Sequence, residues 1–377
     1  MRIRWSLDTP RSFLVRPRPG TTGVGHGAPP DGSARPPTSR PPRQVSVGGV
    51  TTGSPRVLPA DSGIAEAASV LRTGGLVAFP TETVYGLGAN ALDARAAARI
   101  FEAKARPSFD PLITHLADAA ELEKLVGPVP AAVTALAERF WPGPLTLIVD
   151  RPAAIPPIVT SGLATMAVRV PDNAYARALI AEAGVPVAAP SANRFGQLSP
   201  TRAEHVVRGL GAAVDVVLDG GPARCGIEST IVDARGGRPV VLRLGALPVE
   251  ALEEAAGPVT VRPGSSGQPV APGTLAAHYA PRTPLRLGAR GGPPAAHRGR
   301  RGGRAGPGPA AGAGGAVEVL SAAGDLTEAA ARLFDALHEL DAAGVGEILV
   351  EPVPEVGVGR AINDRLRRAA ATWHPTA

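Results

Sequence analysis

Between residues 61 and 256, short apolar runs bounded by glycine or proline alternate with stretches of helical periodicity. Continuous apolar runs of this length are typical of strands that are buried on both faces of a sheet. The predicted strands are 76–79, 111–116, 145–149, 166–170, 185–189, 214–218, 230–232 and 240–244. In the clearest helix, apolar residues recur at three- and four-residue intervals from Val133 to Trp141, and Pro142 ends the pattern. Strands mixed with helices predict an α/β or α+β domain built around a sheet.

The segments on either side of this region differ in composition. Residues 1–56 are rich in Pro, Gly, Arg and Ser without apolar periodicity, which predicts a disordered extension. We expect a main domain over 57–256, a linker over 257–283 that is rich in Pro, Gly and Ser, and a small second domain over 284–377. The second domain begins with low-complexity residues 288–316, which cannot bury enough surface to fold, and continues with a helix, a strand and a last helix.

The net charge of +6 favours a protein that binds nucleic acid, but its distribution weakens that interpretation. Residues 1–56 carry nine Arg and two Asp, and residues 282–308 carry seven Arg and no acidic residue. The rest of the chain therefore has a net charge of −8. The part that is predicted to fold is acidic, and the two basic segments would at most help to attract RNA electrostatically.

Residue type and spacing exclude several classes of site. The single cysteine, Cys225, excludes a disulfide framework and a thiolate metal cluster. The sequence has no GxxxxGK[ST], HExxH or GxSxG motif, and its seven histidines lack metal-ligand spacing. No stretch of about 18 apolar residues is free of charges and prolines, and the first residues contain no apolar run of signal-peptide length. We therefore expect a cytoplasmic protein without a membrane-spanning segment.

The loop 80–88, with the sequence PTETVYGLG, directly follows the predicted strand 76–79 and carries Thr81, Glu82 and Thr83. Its backbone groups and hydroxyls suit the binding of a small polar ligand. The same composition also fits a glycine-rich turn that is capped by threonine.

Lys104 and Arg106 follow a predicted helix, and His115 lies at the end of the next strand. Two cations in one loop suit phosphate oxygens, with arginine as a planar fork and lysine as a point charge. Cations are also favoured at a helix C-terminus without any ligand, and a single histidine is often structural. Both interpretations stay open on this segment alone.

Two further segments place polar groups beside buried strands. PSAN at 190–193 closes a strand at its carboxyl end, where ligands of open α/β sheets usually bind. In GIESTIVD at 226–233, the polar run Glu228–Thr230 lies between isoleucines, and a buried polar run needs partners or a ligand. Arg243 alternates with two leucines in its strand, so it either lines a cavity or reaches solvent.

In this order, the segments resemble the YrdC-like family in its longer, two-domain form. The matching segments are PTETVYGLG (80–88), KARPSFDPLITH (104–115), PSAN (190–193), GIESTIVD (226–233), VLRLG (241–245) and APGTLAAHYAP (271–281). The resemblance covers about 57–283 strongly and 317–372 more loosely. HYAP at 278–281 and GVGRAINDRL at 357–366 point to the long form, whereas 1–56 and 288–316 match nothing in the family.

The resemblance implies a twisted mixed sheet with helices around a large, positively charged cavity, followed by a small Rossmann-like domain. It implies an enzyme that condenses L-threonine, bicarbonate or carbon dioxide, and ATP with Mg²⁺ into threonylcarbamoyl-adenylate and pyrophosphate. Transferase proteins would then move the threonylcarbamoyl group to an adenosine beside the anticodon of tRNA. A contact with tRNA or double-stranded RNA would accompany that role.

The resemblance also implies roles for individual residues. The threonine site would be Thr83, His115, Arg169, the backbone of Ala189, and Ser229. The ATP site would be Arg106, Asp110, Thr165, Ser191, Asn193, Ser199, Arg243 and Tyr279. Lys104 and Arg106 would be catalytic, because cations stabilise charge on a transferring phosphoryl group. Asp110 stands where the family often has Asn, and its carboxylate would repel triphosphate unless Mg²⁺ intervenes; no metal ligand of the protein is expected.

Two other functions compete with this interpretation. Carbamoyl-adenylate enzymes of hydrogenase maturation share the fold but carry cysteine pairs and an acylphosphatase domain, which a chain with one cysteine does not match. An RNA-binding or ribosome-associated factor without synthase activity would use the Arg-rich segments instead. Threonine-dependent consumption of ATP separates the synthase from that factor.

Overall fold

The computed structural model describes residues 54–262, 271–275, 278–288 and 317–371, and residues 2–5 by their backbone. The helices are α1 (Ile64–Arg72), α2 (Ala94–Lys104), α3 (Glu121–Val126), α4 (Ala131–Phe140), α5 (Ala174–Ala183), α6 (Ala203–Leu210), α7 (Val249–Ala256), α8 (Leu326–Ala342) and α9 (Gly359–Ala371). The strands are β1 (Arg2–Trp5), β2 (Arg56–Pro59), β3 (Val77–Phe79), β4 (Gly86–Asn90), β5 (Ile113–His115), β6 (Leu145–Asp150), β7 (Thr165–Arg169), β8 (Val187–Ala188), β9 (Val216–Asp219), β10 (Thr230–Asp233), β11 (Val240–Arg243), β12 (Thr260–Val261), β13 (Leu285–Leu287), β14 (Val317–Ser321) and β15 (Ile348–Val350).

Strands β2 to β12 form one large mixed sheet in the order β12-β11-β10-β6-β7-β5-β8-β4-β3-β9-β2. In its centre, β7 pairs antiparallel with β6 and parallel with β5. Each of the eight strands that the apolar runs predict corresponds to one of these strands. The predicted sheet-centred domain with surrounding helices is therefore confirmed.

The apolar run at β3 is continuous because both faces of the sheet are covered there. Leu76 and Ala78 belong to the apolar cluster on one face, which includes Ile100 of α2. Val77 and Phe79 belong to the cluster on the other face, together with helices α1 and α5. Successive side chains of a strand point to opposite faces, so a strand buried on both sides has no polar position.

The predicted loop 80–88 is a loop only as far as Tyr85, because β4 begins at Gly86. At Gly88, a Cβ atom would lie 2.8 Å from both Phe79 Cε1 and Val187 Cγ1. Glycine is required at this position by the close approach of two neighbouring side chains. The segment forms a strand, although its composition alone does not indicate one.

A second sheet has the order β13-β15-β1-β14, and its strands pair in parallel. Helix α8 packs on β14 and helix α9 on β13. Parallel strands connected through helices form a small α/β domain of the expected kind.

The prediction that residues 1–56 form a disordered extension is wrong at both ends of that segment. Arg2–Trp5 form β1 between β14 and β15, and Arg56 begins β2, which pairs with β9. A four-residue strand is held by backbone hydrogen bonds to distant strands, and local composition does not reveal them. Residues 6–53 lie outside the described residues, as do 289–316 of the predicted low-complexity segment.

The predicted linker begins with a strand. Thr260–Val261 form β12, which pairs with β11, so the first sheet extends past residue 256. Residues 263–270 lie outside the described part, and the linker then returns at 271–275 and 278–283. In the described ranges, no helix has the length and apolar character needed to cross a membrane.

Candidate active site

A cavity lies between the ends of β5, β7 and β11 and the linker residues 272–273 and 278–279. Its lining includes nine of the predicted site residues: Thr83, Arg106, His115, Arg169, Ala189, Ser191, Ser229, Arg243 and Tyr279. The other five predicted residues do not line it: Lys104, Asp110, Thr165, Asn193 and Ser199. The fold therefore brings most of the predicted residues into one place.

The loop after β3 holds the buried guanidinium of Arg169. Arg169 Nη1 donates to Thr83 Oγ1 at 2.9 Å, and Nη2 lies 2.6 Å from Glu82 Oε1. Arg169 Nε donates to the carbonyl oxygen of Gly143 at 3.1 Å. Thr81 Oγ1 accepts from the backbone N–H groups of residues 83 and 84, which fixes the loop. A hydroxyl and a fixed guanidinium on one wall suit the hydroxyl and carboxylate of an amino acid.

Arg106 is positioned by the end of α2 and by Asp110. The C-cap residue Ala105 has a left-handed conformation with φ of 49°, which turns the chain after the helix. Arg106 Nε donates to the carbonyl oxygen of Asp110 at 2.9 Å, and Nη2 lies 2.9 Å from Asp110 Oδ2. Burial raises the pKa of Asp110, and the charge of Arg106 opposes that rise. The carboxylate thus faces the guanidinium and supports it from outside the cavity lining.

Lys104 does not line the cavity. Its ammonium donates to the carbonyl oxygen of Ser191 at 2.5 Å and to that of Asn193. Burial and the charge of Arg106 lower its pKa well below the usual value. Asn193 in turn accepts from Ser191 Oγ at 2.5 Å and donates to the carbonyl oxygen of Gln197. Lys104 and Asn193 therefore shape the loop that presents Ser191 to the cavity.

Arg243 reaches across from β11 into the cavity, as one of the two sequence alternatives anticipated. Its Nη2 donates to Ser229 O at 2.8 Å and to Ser229 Oγ at 2.9 Å. Its Nη1 donates to the carbonyl oxygen of Pro272 at 3.0 Å, which ties the linker to the first domain. Ser229 Oγ is also 2.7 Å from Thr146 Oγ1, and Thr230 Oγ1 donates to the carbonyl oxygen of Leu247, so these hydroxyls of GIESTIVD have partners within the protein.

His115 is a neutral group on the cavity wall. Burial, together with the nearby charge of Arg169, lowers its pKa to about 3. Its Nδ1 lies 3.2 Å from the carbonyl oxygen of Ile113. The backbone of Val187 also forms a hydrogen bond with the ring, so two backbone groups hold the imidazole in place. The neutral ring of His115 adds no positive charge to the cavity wall.

Two predicted ATP residues occupy other positions. Ser199 is buried and donates to Glu228 Oε1. Thr165 lies at the far end of β7 from Arg169, about 13 Å away for four residues of extended strand. It shares the face of β7 on which Arg169 lies. Thr165 is therefore distant from Arg169, and it does not line the cavity.

The linker covers the cavity with two aromatic residues. Tyr279 has a left-handed conformation with φ of 63°, and its ring lies 4.1 Å from the ring of His278. Ala280 N–H donates to the carbonyl oxygen of Gly196 at 2.8 Å, which anchors the linker to the first domain. A backbone in this conformation is costly for a residue with a side chain, and surrounding contacts maintain it.

Three polar side chains of the cavity and one behind it are absent from the predicted site. Thr81, Glu228 and His278 line the cavity, and Arg365 of α9 is buried against Glu228. The 80–88 loop, the buried polar run at 228–230 and the HYAP segment contain the first three and gave a signal for them. Arg365 lies in the segment GVGRAINDRL, which indicated the two-domain form but not a place near the cavity.

The comparisons with known proteins agree with this architecture. The family Sua5_yciO_yrdC, described as "Telomere recombination", matches residues 69–245. The family Sua5_C, described as "Threonylcarbamoyl-AMP synthase, C-terminal domain", matches residues 247–371. A threonylcarbamoyl-AMP synthase of Bacillus subtilis is 46% identical over 324 residues, which cover 82% of this chain and 93% of that protein.

This chain belongs to the YrdC-like family, in its two-domain Sua5 form. A second YrdC-like relative, the threonylcarbamoyl-AMP synthase of Pyrococcus abyssi, is 42% identical over 81% of this chain and 93% of its own length. The crystal structure of P. abyssi Sua5 complexed with L-threonine has a TM-score of 0.73 and 40% identity, covering 82% of this chain and 94% of that one. The resemblance that the motifs indicate is confirmed for both domains.

Proposed function

We propose that this chain synthesises L-threonylcarbamoyl-AMP from L-threonine, bicarbonate or carbon dioxide, and ATP, with release of pyrophosphate. The observation that carries the proposal is the match over both domains to relatives named for this activity. The cavity supports it, because hydroxyls and guanidinium groups from distant segments converge there.

Threonine is assigned to the wall formed by Thr83, Arg169 and Ser229. The guanidinium of Arg169 offers a carboxylate partner, and the hydroxyls of Thr83 and Ser229 offer partners for a side-chain hydroxyl. His115 and the backbone of Ala189 complete that wall.

The phosphates of ATP are assigned to Arg106 and Arg243, with Ser191 and Tyr279 nearby. Both arginine side chains are buried, and low local dielectric strengthens their interaction with an anion. Asp110, Asn193 and Ser199 act on this site through the residues that they contact.

Mg²⁺ is proposed to arrive with ATP. Among the described residues, no group of three or more His, Cys, Asp or Glu side chains could hold a metal ion. Mg²⁺ commonly keeps several waters and binds phosphate oxygens with one or two carboxylates, which such a cavity permits. The ion supplies charge neutralisation on the triphosphate when it is bound.

The chemistry requires positioning and charge stabilisation. The deprotonated amine of threonine adds to carbon dioxide to form a carbamate. A carbamate oxygen then attacks the α-phosphorus in line, a new P–O bond forms, and the bond to pyrophosphate breaks. Oriented reactants and cations that stabilise the transferring phosphoryl group account for such a reaction without a covalent nucleophile.

The product is an activated acyl donor, so the proposal includes a partner transferase that moves the threonylcarbamoyl group to tRNA. A cytoplasmic protein that meets ATP and tRNA fits this role. Direct contact with tRNA or double-stranded RNA stays a prediction, because most of the two Arg-rich segments lies outside the described residues.

The proposal predicts threonine-dependent release of pyrophosphate from ATP in the presence of bicarbonate and Mg²⁺. The measurement follows pyrophosphate and the new adenylate, with serine and alanine in place of threonine as controls. Release that does not depend on threonine would contradict the proposed substrate. No release from folded protein would contradict the proposed reaction and favour RNA binding.

A further inference from the structure

Glu228 places a carboxylate on the wall of a cavity that is proposed to bind triphosphate. The residue is 5% exposed, and its oxygens accept from Ser199 and from Arg365. An isolated carboxylate at that position would repel the phosphates and would be costly to bury.

The charge of Glu228 is balanced from the second domain. Arg365 Nε lies 2.7 Å from Glu228 Oε2, and the Arg365 side chain is 1% exposed. Burial raises the pKa of Glu228, but the charges of Arg365 and Arg243 outweigh that effect, so the carboxyl stays ionised. In the first domain, Arg106 and Arg169 already face Asp110 and Glu82.

The ion pairs continue along α9. Arg365 Nη1 lies 2.8 Å from Asp364 Oδ2, and the same oxygen lies 2.9 Å from Arg368 Nε. Glu228, Arg365, Asp364 and Arg368 therefore form a chain of alternating charges from the cavity to the second domain. Removing Arg365 would leave Glu228 without its ion-pair partner at the cavity.

The same guanidinium also supports the linker. Arg365 lies over the ring of Tyr279, 5.0 Å from the ring centroid. Arg368 donates to the carbonyl oxygen of Leu275, also in the linker. A cation over an aromatic ring is attracted to it most strongly when both are shielded from water.

We propose that Arg365 is a positioning residue of the site, which neutralises Glu228 and thereby makes ATP binding depend on the docked second domain. The role rests on the proposed function for its ligand. The second domain thereby contributes to the site of the first domain, because Arg365 offsets a carboxylate that would otherwise weaken the attraction of the cavity wall for polyphosphate.

The test is the equilibrium binding of MgATP to the full chain by calorimetry, in the absence of threonine and bicarbonate. Arg365→Met keeps an apolar stem beside Tyr279 and removes the charge. We expect its Kd for MgATP to rise by about tenfold or more, because a buried carboxylate has lost its partner.

The deciding variant is Glu228→Gln combined with Arg365→Met. It removes both charges, so we expect its Kd to return to within about threefold of that of Glu228→Gln alone. Arg367→Met is the matched control on the same helix, since Arg367 forms an ion pair on the surface, and its Kd should not change.

Two results would overturn the proposal: wild-type affinity in folded Arg365→Met, or equal weakening in the single and double variants. The second result would mean that Arg365 acts through packing. If Arg365→Met does not fold, the Kd of the double variant for MgATP still tests the proposal, because in that protein Glu228 is no longer a buried carboxylate without a partner. A protein that binds MgATP but releases no pyrophosphate with threonine would contradict the proposed reaction and leave the charge argument intact.

Discussion

Lys104 and Arg106 are two residues apart in sequence, yet their side chains enter different surroundings. Arg106 lines the cavity, whereas the ammonium of Lys104 is bonded to two backbone carbonyls of the 191–193 loop. The left-handed residue Ala105 lies between them and turns the chain at the end of α2. Both cations bear on the proposed phosphate site, one directly and one through the loop that carries Ser191.

Arg106→Ala should lower threonine-dependent pyrophosphate release by about two to three decades, because one cation is lost from the transferring phosphoryl group. It should also lower the free energy of unfolding by roughly 3–5 kcal/mol, since the buried carboxylate of Asp110 loses its partner. Adding Asp110→Asn should restore most of the stability and none of the activity. Urea unfolding and the pyrophosphate assay measure the two effects, and recovery of both would show that Arg106 is only a structural partner.

Helices α6 and α8 meet through two histidines, one from each domain. The rings of His205 and His338 are stacked with centroids 3.9 Å apart. Burial, with the charge of His338 adding to it, lowers the pKa of His205 to about 3, and burial lowers that of His338 to about 4. Asp335, 3.6 Å from His205, opposes these shifts, and Arg208 reinforces them. A neutral stack at the domain boundary is therefore sensitive to acid.

The free energy of unfolding should fall as pH drops below about 6.5, because the unfolded chain then takes up protons that the stacked rings do not. Above that pH both states are neutral, and the loss continues down to the folded pKa values of about 3 and 4. In His338→Gln, the slope of the unfolding free energy against pH should be smaller by on the order of 1 kcal/mol per pH unit. Urea unfolding between pH 7 and 5 measures this, and an unchanged slope in the variant would contradict it.

At the scale of the whole molecule, the two domains share one apolar cluster. Val84 and Ile227 of the first domain cluster with Leu333 and Phe334 of α8. Ion pairs surround this cluster, including Arg202 with Asp335 at 2.8 Å. This interface, with an apolar centre and ion pairs around it, couples the stability of one domain to that of the other.

Gly226→Ala should weaken this interface between the two domains. A Cβ atom there would lie 2.4 Å from the carbonyl oxygens of Ala330 and Ala331 in α8, at a φ of +69°. Gly184 is the matched control, with a φ of +66° and nothing within 4 Å. Gly184→Ala should cost about 1–2 kcal/mol of unfolding free energy for its backbone conformation. Gly226→Ala should cost about 1–3 kcal/mol more for the clash, as calorimetry would show. Equal losses of unfolding free energy in the two variants would mean that the interface accommodates the added methyl group without cost.

The main sheet and most of the cavity residues could be predicted from the amino-acid sequence. Apolar runs such as 76–79 are encoded locally, because a strand buried on both faces cannot carry polar residues. The loop that holds Thr83, the KAR segment and the polar run at 228–230 could be read from residue type and spacing. These features depend on a few neighbouring residues, so they are visible before the chain is folded.

The contacts between distant parts of the chain became visible only in the folded protein. The pairing of Glu228 with Arg365 joins residues 137 positions apart, and it exists because the second domain docks over the cavity. The inclusion of Arg2–Trp5 in the second sheet and the orientation of Lys104 have the same origin. A strand's partners and the direction of a buried charge are set by groups that packing brings together, and local periodicity contains no information about them.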